Sequence, residues 1–195
     1  MKKIIKNTFI LTAITLIAGL LLGLVYEITK APIAASKEAA KQEAYKTVLA
    51  DADAFEAMEV KADSITVEGC TVDEVVAAKA GDEIIGYVIT TTTSEGYGGN
   101  IQISTGMNTE GNITGVEVLS ISETAGLGMK AQEESFRSQF VDREVPSFAL
   151  SKSGGSGDNA IDALSGATIT STAFTNAVNA GLEYFNNVIG GSANE

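Results

Sequence analysis

The sequence predicts an α+β domain carried on a single N-terminal transmembrane helix. Three observations point there. The stretch from Asn7 to Tyr26 is uncharged and mostly apolar; β-branched runs separated by turn clusters fill the middle of the chain; and an amphipathic stripe at helical spacing lies near the C-terminus.

The elements follow in chain order. Twenty residues from Asn7 to Tyr26 make a helix about 30 Å long, the depth of a bilayer's hydrocarbon core. A cleaved signal peptide has a shorter apolar run and a small-x-small site close behind it. Here the run leads into Tyr26-Glu27-Ile28-Thr29-Lys30, and Ala34-Ala35 come only after Pro32, so the reading is a retained anchor. Lys2, Lys3 and Lys6 favour the cytoplasm and place the rest on the outer face. Pro32 is expected to break the helix, and Ser36–Ala50 to form a second one, rich in Ala, Lys and Glu. The expected organisation is an N-terminal tail and anchor over 1–30, a helical stalk over 31–60, an outer domain over 61–189 and a disordered tail over 190–195.

Glu83–Thr93 is β-branched, Ile101–Met107 alternates with a period of two, and Ile113–Ser120 carries Val116 and Val118 on one face after the turn cluster Asn108–Asn112. Together these predict an antiparallel meander. A short helix holds Phe136 and Phe140. A longer one holds Phe174, Ala177, Val178, Gly181, Leu182 and Phe185 on one side. Ser151–Asn159 between them reads as a polar loop.

Composition narrows the chemistry. The chain of 195 residues has 25 acidic and 13 basic side chains, a net charge of −12 and no histidine. Four lysines against Glu27 make residues 1–30 positive, so the acidity belongs to the remainder. Nucleic-acid binding needs clustered Lys and Arg and is not expected. A lone Cys70 without histidine gives no usual zinc site, internal disulfide, cysteine-ligated iron–sulfur cluster or Ser–His–Asp triad. Cys70 reads as a small buried apolar residue.

The most informative segment is Asp162-Ala-Leu-Ser-Gly-Ala-Thr-Ile-Thr-Ser-Thr172, directly before the amphipathic helix. A helix N-terminus offers unpaired N–H groups to a phosphate, Gly166 and Ala167 allow close approach, and Ser165, Thr168, Thr170 and Ser171 add donors. The plainer reading has one hydroxyl capping the helix. The segment lacks the Gly-Lys-Ser/Thr end of a P-loop and is no dinucleotide fingerprint.

The string Asp162-x-x-Ser165-Gly166-Ala167-Thr168 resembles the flavinylation motif of the FMN-binding domain family of Rnf and Nqr complexes. In that family a flavin transferase joins the FMN phosphate to the last threonine of the motif. The resemblance implies Thr168 as the covalent acceptor, supported by Asp162. Two further segments are similar to family elements: Gly96-Tyr97-Gly98-Gly99, and Glu123-Thr124-Ala125-Gly126-Leu127-Gly128, where Ala125 replaces the usual proline. Leu20–Ile33 resembles the membrane exit of the G-subunit family of Rnf complexes; the Nqr C family is the near neighbour.

From the resemblance comes an expected site. Ser165, Gly166, Ala167, Thr168, Thr170 and Ser171 hold the phosphate. Tyr97, Gly98, Gly99, Glu123, Thr124, Gly126, Leu127, Gly128 and Met129 wall the flavin, with Leu127 and Met129 in apolar contact and Thr124 bonding its polar edge. The implied function is one relay step between ferredoxin and NAD in a cell-membrane complex that exports sodium or protons. Its partners would be the other Rnf subunits, membrane lipid and the flavin transferase. The competing expectation is a membrane-anchored assembly module whose Thr-rich sheet contacts other proteins.

Overall fold

The computed structural model describes residues 1–61, 64–151 and 157–190. The chain divides into two units, 1–41 and 42–195.

Helix α1 (Lys2–Val48) is continuous and contains Pro32, which corrects the expected break. Proline removes one backbone donor from a helix interior, but Pro32 is exposed, so solvent can satisfy the carbonyl left behind. The apolar stretch of the first unit is bare on every side: Phe9, Leu16, Leu22 and Leu24 are all exposed. An 18-residue window there has no buried residue and is apolar enough to cross a membrane. A helix apolar all round needs an apolar solvent.

The second unit is built on a five-stranded antiparallel sheet in the order β1-β2-β3-β4-β5. The strands are β1 (Ala54–Met58), β2 (Cys70–Ala80), β3 (Glu83–Thr93), β4 (Ile101–Asn108) and β5 (Ile113–Ser120). The meander is therefore present, with β2 completing it on one side. The segment 54–58, expected within a helical stalk, is the edge strand instead, pairing Ala54 with Lys79 and Met58 with Val75. Residues 62–63 of the expected outer domain, 152–156 of the expected polar loop and 191–195 of the expected tail lie outside the described residues.

Both faces of the sheet are covered. On one, Tyr45, Val48 and Leu49 pack with Val76, Ala78 and Val88. Gly106 pairs with Gly115 across β4 and β5, and this trough admits Val48: a Cβ on Gly106 would lie 2.7 Å from Val48 Cβ. On the other face, Val75, Ile89, Ile103 and Met107 meet α3 (Thr168–Tyr184) through Phe174, Ala177 and Val178. Central strands buried on both sides lose simple alternation, as in Val88–Thr91, all buried. Three of the four threonines of β3 turn inward: Thr90 bonds Ser104 Oγ at 3.0 Å, Thr91 Oγ1 donates to the Ala177 carbonyl at 3.0 Å, and Thr93 is buried. A Thr-rich outer contact face is thereby excluded for Thr90, Thr91 and Thr93, which are buried.

Helix α2 (Glu134–Arg137) carries Phe136, and a 3-10 turn over Ser138–Phe140 carries Phe140. Their rings pack at 5.7 Å, and both meet Phe174, at 5.3 and 5.6 Å. Strands β6 (Ala149–Ser151) and β7 (Ala160–Asp162) form a short parallel pair. Arg143 holds it in place by donating to the carbonyls of Gln139 and Ala160 at 3.0 Å each. β7 delivers the chain into the segment before α3. Gln139 clamps its last residue, Oε1 accepting from Asp162 N at 2.7 Å.

Candidate functional site

At one end of the sheet three segments converge. They are the loop joining β3 to β4, the loop leaving β5, and the turn entering α3. Tyr97, Glu123, Thr124, Leu127, Gly128, Gly166, Ala167, Thr168, Ile169 and Thr170 line a cleft of about 600 Å³, within the usual size of a small-molecule site.

Each loop is held by local bonds that its sequence dictates. Leu127 N donates to Thr124 O at 3.1 Å, and Gly126 has φ +76°. These are the marks of a type II turn, whose third residue must take positive φ. Ala125 occupies the position where proline is favoured, and the turn closes without it. A similar turn, closed by Ala167 N to Leu164 O at 3.0 Å, places Gly166 at φ +75° against Leu127: a Cβ on Gly166 would lie 3.2 Å from Leu127 Cδ2. The third loop is fastened by a side chain, Gly98 N donating to Glu123 Oε1 at 3.2 Å.

The start of α3 has no side-chain cap and no acidic residue in its first turn, so the expectation that a hydroxyl caps it does not hold. The N–H of Ser171 pairs with Ala167 O at 2.9 Å. Those of Thr168, Ile169 and Thr170 have no partner among the described residues. Three free donors at the positive end of a long helix make an anion site. Thr168 is exposed there.

Nine expected residues reach the cleft: Tyr97, Glu123, Thr124, Leu127, Gly128, Gly166, Ala167, Thr168 and Thr170. Six do not line it. Ser171 is buried, and its hydroxyl accepts from Leu164 N at 3.0 Å while donating to Ala167 O at 2.9 Å. Its hydrogen-bonding capacity is spent on shaping the turn, not on a ligand. Met129 faces away, its sulfur receiving Gln132 Nε2 at 3.4 Å. Ser165 is exposed within the turn closed by Ala167 and Leu164, Gly126 serves the type II turn, and Gly98 and Gly99 belong to the loop joining β3 to β4.

Ile169 is the lining residue that the sequence reading missed. It is 55% exposed and lies off the apolar stripe of α3; an isoleucine on the wrong side of an amphipathic helix is the signal that could have found it. Cys70, expected to be buried, is half-buried at the start of β2. Burial pushes its thiol pKa up, opposed by a hydrogen bond with Thr93 and reinforced by the charge of Glu95.

Comparison with known proteins gives two separate family matches along the chain. The FMN-binding domain model covers residues 96–183, which include the whole cleft, and the RnfG N-terminal region model covers residues 1–48. Along most of its length the chain is similar to the G subunit of the proton-translocating ferredoxin:NAD(+) oxidoreductase complex of Clostridium ljungdahlii: 34% identity over 182 residues, 93% of this chain and 91% of that one. This chain belongs to the RnfG family. The corresponding Na(+)-translocating protein of Acetobacterium woodii is 32% identical over 195 residues, 96% and 94% of the two chains. The G subunit of the ion-translocating oxidoreductase complex of Methanosarcina acetivorans is 34% identical over 192 residues, 94% and 95%.

Among solved structures, NqrC of Shewanella oneidensis aligns with a TM-score of 0.52 at 17% identity, over 76% of this chain and 74% of that one. The C subunit of the Na(+)-translocating NADH-quinone reductase of Parabacteroides distasonis aligns at 0.50 and 23%, over 58% and 61%. At these identities the likeness establishes the fold. The RnfG chain thus has an FMN-binding domain and a membrane-type N-terminal region, and the cleft's lining suits that cofactor, with free backbone donors for a phosphate and the side chains of Leu127, Ile169 and Tyr97 for a ring.

Proposed function

We propose that this chain is an electron-transfer subunit of a membrane complex that couples electron flow between ferredoxin and NAD to export of sodium or protons. In this reading its FMN is joined through the phosphate to Thr168, and the chain completes no overall reaction alone. Residues near Asn7–Tyr26 anchor it as a single span with the N-terminus in the cytoplasm, and the sheet domain stands on the outer face beside the other subunits. The observation that carries the reading is the uncapped start of α3, where an exposed threonine hydroxyl sits with three unpartnered N–H groups.

FMN supplies reversible electron acceptance; the chain binds and orients it. Backbone N–H groups of Thr168, Ile169 and Thr170 meet the phosphate, and the turn braced by Ser171 keeps Thr168 Oγ1 beside them. Leu127, Ile169 and Tyr97 offer apolar surface to the ring. Among the described residues no Lys or Arg lines the cleft, so the helix end is what they offer there against a phosphate monoester's charge of about −1.5 to −2. Conversion to the ester at Thr168 lowers that charge and removes the possibility of dissociation, which supports covalent attachment over simple binding.

Expression with a flavin transferase tests this directly. The denatured wild-type band fluoresces under ultraviolet light, Thr168→Ala abolishes the signal, and Thr170→Ala keeps it. A band dark in the wild type, with an unmodified peptide across position 168 by mass spectrometry, overturns the reading.

A further inference from the structure

One side chain in the cleft has more hydrogen-bonding capacity than the fold uses. Glu123 is only 9% exposed. Its Oε1 is committed to Gly98 N at 3.2 Å. Its Oε2 makes no hydrogen bond or ion pair among the described residues and lies on the cleft wall beside Gly128 and Thr170. A Cβ built on Gly128 would stand 2.8 Å from that oxygen and 2.6 Å from Thr170 Oγ1, so glycine is what keeps the oxygen open to the cleft. A carboxylate oxygen that faces a cleft without a donor from the described residues is an acceptor for the cleft's occupant to fill. Among the described residues no Lys or Arg lines the cleft to offset its charge.

We propose that Oε2 of Glu123 accepts a hydrogen bond from an O–H or N–H donor of the bound flavin, and that its fixed negative charge holds the flavin's reduction potential down. The inference rests on the flavin reading above and deepens it. Reduction adds electron density to the ring, and a carboxylate beside it opposes that change, the more so where the bound flavin displaces water between them. An ionised carboxylate oxygen only accepts, so the flavin's O–H and N–H groups are the complementary partners.

Glu123→Gln separates the two uses of the side chain. Its amide oxygen still accepts from Gly98 N, while the second oxygen becomes an NH₂ group that neither accepts nor carries charge. The experiment uses the full chain, flavinylated by co-expressed transferase and purified in detergent. Equilibrium redox titration is expected to show the Glu123→Gln midpoint raised by at least a tenfold change in the oxidised-to-reduced ratio, about 30 mV for a two-electron couple. A covalently flavinylated Glu123→Gln chain with an unchanged or lowered midpoint overturns the inference and leaves attachment at Thr168 standing. A wild-type chain without covalent flavin overturns the underlying reading instead.

A second measurement starts from the wild-type chain and is then repeated on the flavinylated variant. In the redox-induced infrared difference spectrum of the wild-type chain, a carboxylate stretch that moves on flavin reduction supports the contact, and a flat carboxylate region overturns it. Ring carbonyl bands that also move in Glu123→Gln assign the donor to the ring N–H. Bands that stay in place, with the midpoint raised, assign it to a ribityl hydroxyl.

Discussion

Ala125 shows how a single position can be read for stability. It stands second in the turn closed by Leu127 N to Thr124 O, the place where proline matches the backbone, and its own N–H has no partner among the described bonds. Ala125→Pro is therefore expected to raise stability by about 0.4–1 kcal/mol through loss of unfolded-state freedom. A thermal melt of the full chain checks this; a lowered midpoint would show that Thr124 cannot adopt the extended backbone required before proline. Ser171 teaches the opposite lesson. Its place in a hydroxyl cluster suggested ligand binding, yet the folded chain uses both its donor and its acceptor internally. Residue type told which groups were available, and only the surrounding backbone told which were already taken.

At the scale of elements, α3 links stability to the cleft. Its inner side is anchored by Phe174, fully buried between Phe136 and Phe140. Phe174→Ala is expected to cost about 3–5 kcal/mol and to lower the melting temperature by roughly 10 °C at this chain length. Its outer first turn carries Ile169, where substitution by Ala should change stability by no more than about 0.5 kcal/mol while shifting the flavin absorbance bands. Similar melting losses in both variants would contradict this division between inner and outer faces. The helical stripe was legible because its spacing repeats over 17 residues. The edge strand β1 was not, because Ala54–Met58 is short, acidic nearby and mostly exposed; it is a strand through pairing with β2, the next strand, across an intervening segment. Continuity through Pro32 was also invisible, since the local rule for proline says where a bond is lost and not whether the neighbouring turns hold.

For the whole molecule, the orientation across the membrane is the quantity to test. Cys70 is half-buried with a raised thiol pKa, so it reacts slowly and makes a poor reporter. Asp82 lies exposed in the turn between β2 and β3. In a Cys70→Ser background, Asp82→Cys is expected to react with a membrane-impermeant maleimide in intact cells or spheroplasts. Labelling only after the membrane is opened would place the domain on the cytoplasmic side.

By itself the sequence determined the apolar span, the meander, the last helix and the motif that nominates Thr168, because each is written in neighbouring residues as charge, period or spacing. The tertiary structure alone decided which hydroxyls face the cleft, that Ile169 joins them, that α3 begins without a cap, and that one oxygen of Glu123 is left open. Those facts depend on segments around residues 97, 123 and 168 being brought to one end of a sheet. No local pattern in any one of them records what the other two will leave unpaired.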